Sequence, residues 1–376
     1  MKTGPVFAVL GGGHGGFAMA GDLACKGFPV HFYSSYEETI GPVRRHGGIE
    51  VEVLPSTGLK GGLARLQKVT TDLKEALAGA DVVMVVTPAN KQADYARRCA
   101  PYLVSGQVVV LHPGNFGGSI QFKQILEKEG KDNITVAETE CLIYSCRKKN
   151  PVKIWIRGYK RSLRLAAFPS VETRRVLEFL RHAYPYLEPA ANVLETGLSN
   201  PNPIVHTPLM VLNAGRIEGD EDFLFYWEGM TPAIGRTIEI MDEERLAVGR
   251  ALGLDDMRSI YRQDRDWFAY QGGTGSNIYE AHVRNPIYQW SVAPATFDHR
   301  YLTEDIPFGL VPLEDLAEKL RHPAPTVRAI IHLANILTGK DLRREARTLA
   351  DLGLDNLAVH QLLDYVDSGS RQLVEV

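Results

Sequence analysis

The chain has little of what would mark a secreted or membrane protein. Only four cysteines occur in 376 residues, Cys25, Cys99, Cys141 and Cys146, and their spacings match no zinc motif. Neither a disulfide framework nor a metal site is expected, and reduced thiols in a cytoplasmic protein are the simplest account. No apolar run approaches the roughly 18 residues that a membrane span needs. The first apolar segment opens a strand, which leaves no room for a signal or transit peptide. The formal charge is −3 and the pI about 6.4, so nothing points to nucleic acid or an anionic membrane as a partner. Repeats, linkers and low-complexity tracts are missing as well. What is present, 44% hydrophobic residues, is enough for two domains that each bury a core.

The most informative stretch lies near the start. Val6 to Leu10 reads as an apolar strand, Gly11-Gly12-Gly13-His14-Gly15-Gly16 scans as G-x-G-x-x-G, and Phe17-Ala18-Met19-Ala20 continues as an apolar helix. Gly11 would allow a tight turn, Gly13 close approach of a pyrophosphate, and Gly16 close packing of helix on strand. The phosphates would then meet the N–H groups at the positive end of a helix dipole. Phe28 to Tyr33 returns as a second strand, so a dinucleotide-binding unit is expected. The tip of that strand is Ser34-Ser35-Tyr36 where an NAD enzyme often carries Asp or Glu. Small hydroxyls with Arg44 and Arg45 nearby could accept a 2′-phosphate, which inclines the reading to NADP and leaves NAD open.

Taken in order, the chain alternates strand and helix. Ile49 to Val53 alternates at period two, and Asp72 with Glu75 marks a helix start. Val82 to Val86 is apolar throughout, as in a strand buried on both faces of a parallel sheet, and ends in Thr87-Pro88 at the carboxyl edge where ligands sit. Val108 to Leu111 ends in His112-Pro113-Gly114-Asn115-Phe116-Gly117-Gly118, a second strand end expected to face the nicotinamide. Ile134 to Ala137 forms another strand before Glu138-Thr139-Glu140-Cys141. Val152 to Ile156 and Leu163 to Ala167 are expected to pair antiparallel as an appended meander. The expectation is a Rossmann-type α/β domain over 1–194 followed by an all-α substrate domain over 195–376. In the second, Thr231-Pro232 starts a helix, and Leu313 to Leu320, Thr326 to Leu337 and Asn356 to Tyr365 are helical in character. The cleft between two such domains is the default place for a substrate.

Two segments of the second part are unusually polar for helical sequence. The first, Asn200 to Pro208, contains Asn202 and His206. The second, Phe297 to Leu310, is dense in Arg, Asp, His and aromatics, a source of carboxylate-binding and acid/base groups as readily as a solvated loop. On composition alone a single histidine is more often structural than catalytic.

With these residues in view the chain resembles the opine dehydrogenase family, the octopine and nopaline dehydrogenase group. The resemblance runs over essentially the whole chain. It rests on Gly11 to Gly16, Pro113-Gly114 with Gly117-Gly118, Glu138-Thr139, the N-x-x-x-H element Asn202 to His206, the helix opening Glu228 to Pro232, and Arg300-Tyr301-x-x-Glu304-Asp305-x-Pro307-x-Gly309-Leu310.

The resemblance implies reductive condensation. An amino acid or amine and a 2-oxo acid such as pyruvate form an imine, and a nicotinamide hydride reduces it to a secondary amine. It places the acid/base pair at His206 and Asp305, a carboxylate grip at Arg300, and a substrate contact at Asn202. Gly11 to Gly16, Ser34, Ser35, Thr87, Pro88, Pro113 and Gly114 would hold the cofactor. No metal is implied, and a homodimer is expected. Two other readings stay open. One is a carbonyl reductase related to ketopantoate reductase or glycerol-3-phosphate dehydrogenase, which would rely on a lysine. The other is a dinucleotide sensor without catalysis.

Overall fold

The computed structural model describes residues 4–370, which form two compact units. The first contains residues 4–114 and 118–193, and the second contains Asn115–Gly117 with residues 194–370.

In the first unit the strands are β1 (Phe7–Leu10), β2 (Val30–Tyr33), β3 (Ile49–Val53), β4 (Gly62–Ala64), β5 (Lys68–Thr70), β6 (Val82–Val85), β7 (Val108–Leu111), β8 (Thr135–Thr139), β9 (Tyr144–Asn150), β10 (Lys153–Tyr159), β11 (Leu163–Phe168) and β12 (Leu187–Pro189). The helices between them are α1 (His14–Cys25), α2 (Glu37–His46), α3 (Leu73–Leu77), α4 (Ala89–Cys99), α5 (Gly118–Lys128) and α6 (Thr173–Leu180). Eight strands form one sheet in the order β12-β11-β8-β7-β6-β1-β2-β5. The pairings from β5 through to β8 are all parallel. Every residue of β1, β6 and β7 is buried, which explains why these strands read as unbroken apolar runs. Chain order reverses at β1, which lies between β2 and β6. The carboxyl ends of β1 and β6 are therefore the switch point where ligands of such sheets bind.

The expected meander is not formed. Leu163 to Ala167 lies in β11, which pairs antiparallel with β8 in the main sheet. Of Val152 to Ile156, the strand part begins at Lys153 and belongs to β10, which sits in a separate sheet ordered β4-β3-β10-β9. Alternation identified both segments as strands, but a period of two carries no information about the partner. The polar run Arg147-Lys148-Lys149 concealed β9, whose hairpin with β10 supplies the nearer antiparallel pairing. β3 also leaves the main sheet and pairs parallel with β10.

His112, immediately after β7, is buried against Met84 Sδ at 3.4 Å and Thr139 Oγ1 at 3.2 Å. Burial pushes its pKa down to about 3. An unfolded histidine takes up a proton near pH 6.5, whereas the folded one stays neutral until about 3. Stability is therefore full above pH 6.5 and is lost as pH falls from there toward 3. The slope expected from this one residue is about 1.4 kcal/mol per pH unit. Denaturant titrations between pH 7.5 and 5 should show a shallower loss in His112→Asn than in the parent, and equal slopes would exclude this source.

The second unit is helical: α7 (Val193–Leu198), α8 (Asn202–Leu212), α9 (Ala214–Ile217), α10 (Pro232–Ala251), α11 (Ile260–Phe268), α12 (Ile278–Val283), α13 (Arg300–Thr303), α14 (Val311–Lys319), α15 (Pro325–Thr338) and α16 (Val359–Ser368). Thr231 caps α10 by accepting from the Ile234 N–H at 3.2 Å, with Pro232 in the first turn. A π-helical turn, Ile306–Leu310, leads into α14. Asn356, expected to open the last helix, precedes α16 by a turn.

Candidate active site

In the first unit the glycine turn connects β1 to α1. Gly11 has φ of +136°, and a Cβ there would lie 2.2 Å from the Val86 carbonyl oxygen. A Cβ on Gly16 would lie 1.8 Å from the Gly11 carbonyl oxygen, so the two glycines let helix and strand meet. Gly13 differs: nothing lies within 4 Å of where its Cβ would be. It precedes α1 without a side-chain cap, and the first N–H groups of a helix have no intrahelical partners. Thr87 Oγ1, at the end of β6, is buried without a hydrogen-bond partner among the described residues. An open cradle at a helix N-terminus and an unsatisfied hydroxyl beside it fit a dinucleotide pyrophosphate.

The other expected cofactor residues divide. His14 is tethered, its Nδ1 accepting from the Lys148 N–H at 3.0 Å. Ser34 is buried, and a Cβ on Gly12 would meet its Oγ at 2.7 Å, so this hydroxyl packs under the turn. Ser35 is exposed and bonds Tyr33 Oη at 3.0 Å. Arg44 is committed to Glu37 at 3.0 Å and to the Val69 carbonyl. Arg98 of α4 is the base that reaches the strand tip, donating to Ser35 Oγ at 3.3 Å and Tyr33 Oη at 2.6 Å. Sequence reading missed Arg98 because it lies 63 residues from Ser35. Gly114 packs on the buried Glu138, whose Oε2 accepts from the Ser119 N–H at 2.9 Å.

In the second unit α8 opens at Asn202 and carries Pro203 in its first turn. Gly309 lets the π turn approach it, since a Cβ there would lie 2.2 Å from Pro203 Cγ. The wide turn is held by the Leu310 N–H donating to the Asp305 carbonyl at 3.0 Å. π turns recur at functional sites, and this one seats Asp305 beside α8. His206 Nδ1 and Asp305 Oδ2 are 2.7 Å apart, and both residues are buried. The Tyr301 ring stacks on the imidazole with centroids 3.9 Å apart, and His206 Nε2 lies 2.8 Å from Tyr226 Oη.

Arg300 is held from one side. Its Nε is 2.9 Å from Glu304 Oε2, and its side chain is 56% exposed while that of Glu304 is 5% exposed. Asn115 Nδ2 donates to Glu304 Oε1 at 3.4 Å, and Asn200 Nδ2 donates to Asn115 Oδ1 at 2.5 Å. Asn202 contributes its backbone N–H to Asn200 Oδ1 at 3.1 Å. Sequence reading proposed no role for Glu304, Asn115 or Asn200; the i,i+4 spacing of Arg300 and Glu304 was the available signal.

A family model described as the alpha-helical domain of NAD/NADP octopine/nopaline dehydrogenase matches residues 189–338. Another, the N-terminus of NAD-dependent glycerol-3-phosphate dehydrogenase, matches residues 6–138. An opine dehydrogenase of Arthrobacter sp. (strain 1C) is 34% identical over 352 residues, covering 93% of this chain and 96% of the relative. The chain belongs to the opine dehydrogenase family. Structures of octopine dehydrogenase, one with NADH and agmatine and one with NADH and L-arginine, superimpose with TM-scores of 0.77 at 25% and 24% identity, each covering 98% of both chains. As an opine dehydrogenase this chain is an NAD(P)-dependent oxidoreductase acting on CH–NH groups, and it reduces the imine formed between an amino group and a 2-oxo acid. Among the described residues no helix is long and apolar enough to cross a membrane.

Proposed function

We propose that this opine dehydrogenase joins an amino acid or amine to a small 2-oxo acid such as pyruvate, with His206 and Asp305 as the acid/base pair and Arg300 as the carboxylate grip. The observation that carries the reading is the buried 2.7 Å bond between His206 Nδ1 and Asp305 Oδ2. A carboxylate can only accept, so Nδ1 donates its proton to Asp305 and Nε2 is the nitrogen left to exchange a proton with the reacting groups. Asp305 thereby holds the productive tautomer and supports the imidazolium. Dehydrating a carbinolamine requires a proton at the departing oxygen, and the imidazolium supplies it; water addition in the reverse direction needs the neutral ring.

Arg300 offers its terminal amines while Glu304 holds Nε, a geometry suited to a bidentate carboxylate. Arg300→Lys should raise KM for the 2-oxo acid about 10- to 100-fold, because a point charge loses roughly 1.5–3 kcal/mol of charged hydrogen bonding. The fall in kcat should be much smaller. Steady-state kinetics with the amine saturating decide it, and an unchanged KM would remove Arg300 from this role.

Residues 1–194 take the dinucleotide role and residues 195–376 the substrate role. Gly11 to Gly16, with Thr87 and Pro88, would hold the pyrophosphate, and Pro113 and Gly114 the nicotinamide end. When bound, the nicotinamide supplies the hydride. Ser35 with Arg98 supports the inclination to NADP, since a hydroxyl and a guanidinium are both able to donate the hydrogen bonds that a 2′-phosphate accepts. Low cysteine usage supports a cytoplasmic location. A homodimer belongs to the same proposal, and the exposed Ile240, Leu333 and Ile336 are available to it.

The test is NADPH and NADH oxidation with pyruvate alone and then with a panel of L-amino acids. Turnover that requires the amine establishes imine reduction and names the donor. Turnover with the 2-oxo acid alone favours the carbonyl-reductase reading. Tight dinucleotide binding without turnover favours the sensor.

A further inference from the structure

Both ring nitrogens of His206 are engaged by protein groups. Asp305 holds Nδ1 at 2.7 Å and Tyr226 Oη lies 2.8 Å from Nε2. Since Nδ1 carries its proton toward the carboxylate, the neutral ring has its lone pair at Nε2, and Tyr226 must donate its O–H there. After protonation the direction reverses, and Nε2–H donates to the phenol oxygen. A phenol is one of the few side chains that can serve both states without moving.

Tyr226 is built into this position. Its backbone segment is clamped by the Phe225 N–H donating to the Ser291 carbonyl at 2.7 Å, and by the Ala293 N–H donating to the Phe223 carbonyl at 2.9 Å. Its ring lies among Phe225 at 5.1 Å, Tyr288 at 4.8 Å and His282 at 5.8 Å between centroids. Burial lowers the pKa of His282, although Asp264 opposes the shift. A neutral, aromatic wall therefore backs Tyr226. The Tyr301 ring covers one face of the imidazole. A proton leaving Nε2 in the plane of the ring meets the Tyr226 oxygen first.

We infer that Tyr226 is the proton-relay residue of this enzyme, its hydroxyl carrying the acid/base proton between His206 Nε2 and the reacting oxygen of the substrate adduct. The inference rests on the reading of His206 as the acid/base group. In carbinolamine dehydration the C–O bond breaks with its electron pair on oxygen, and the amine lone pair forms the C=N bond. The Tyr226 proton goes to the departing oxygen to make water, and the imidazolium proton replaces it on the phenol. The step ends with neutral imidazole, neutral phenol, water and a cationic iminium, and it consumes no oxidant or reductant.

The experiment compares full-length Tyr226→Phe with His206→Asn. The phenylalanine keeps the ring and its packing and removes only the hydroxyl. Expected for Y226F is a kcat lower by about 100-fold or more, within the range general acid/base groups contribute. KM for both substrates, NAD(P)H affinity by fluorescence titration and thermal midpoint should stay near the parent values. The solvent deuterium isotope effect on kcat should rise as proton delivery becomes the slow step. A Y226F enzyme with parental kcat and isotope effect beside an inactive H206N overturns the relay and leaves the acid/base reading standing. A loss of dinucleotide affinity or thermal stability that accounts for the fall in kcat also overturns it. An active H206N removes the acid/base reading itself, and the relay with it.

Discussion

Replacing His206 with asparagine is expected to lower kcat about 1,000-fold while the protein still folds and binds NAD(P)H, because a positioned general acid/base contributes roughly 10²- to 10⁴-fold. Asparagine is close in size to histidine and can still hydrogen-bond Asp305, so the packing under Tyr301 is largely kept. What disappears is the ring nitrogen that would exchange the acid/base proton. A 1,000-fold loss corresponds to about 4 kcal/mol of transition-state stabilisation. The glycine turn belongs to the other compact unit, so the dinucleotide affinity measured by fluorescence titration should be parental. A variant that retains more than about a tenth of the parental kcat would sink the assignment.

The second large effect is structural. Gly16→Ala adds one methyl group, and that methyl would sit 1.8 Å from the Gly11 carbonyl oxygen and 2.8 Å from its carbon. The obstacle is backbone, and Gly11 is itself pinned by its N–H donating to the Tyr33 carbonyl at 3.0 Å. Nothing flexible can yield, so α1 must move away from β1. Overpacking of well-packed sites costs about 1–3 kcal/mol and sometimes more, and this contact lies at the severe end. The expected outcome is a first unit destabilised by at least about 3 kcal/mol and a dinucleotide affinity too weak to measure. Denaturant unfolding and NADH titration check the two parts. A stable G16A protein with parental affinity would show that the helix can shift without cost.

These two experiments probe sites that differ in how visible they were beforehand. The glycine turn is local: its strand, turn and helix are contiguous, and Gly11 and Gly16 answer steric demands made within a few residues or by the adjacent strand, while Gly13 leaves the cradle open. Thr231-Pro232 was legible for the same reason, since a cap and a first-turn proline act within a single helical turn. The apolar strands β1, β6 and β7 announced a parallel sheet because burial on both faces removes alternation.

The His206 pair is different in kind. Its members lie 99 residues apart, and no periodicity relates them; only the family resemblance set the two positions side by side before the geometry did. The chain alone determined that there would be a dinucleotide turn, a doubly covered sheet and a helical region with two polar segments. It did so through short-range sterics and hydrophobic period. Tertiary structure decided which strand β11 pairs with, that Arg98 and not Arg44 reaches Ser35, that Asn115 reaches Glu304, and that Tyr226 closes on Nε2. Each of these is a contact between distant segments, chosen by packing and by the need to satisfy buried polar groups, and neither demand is written in local spacing.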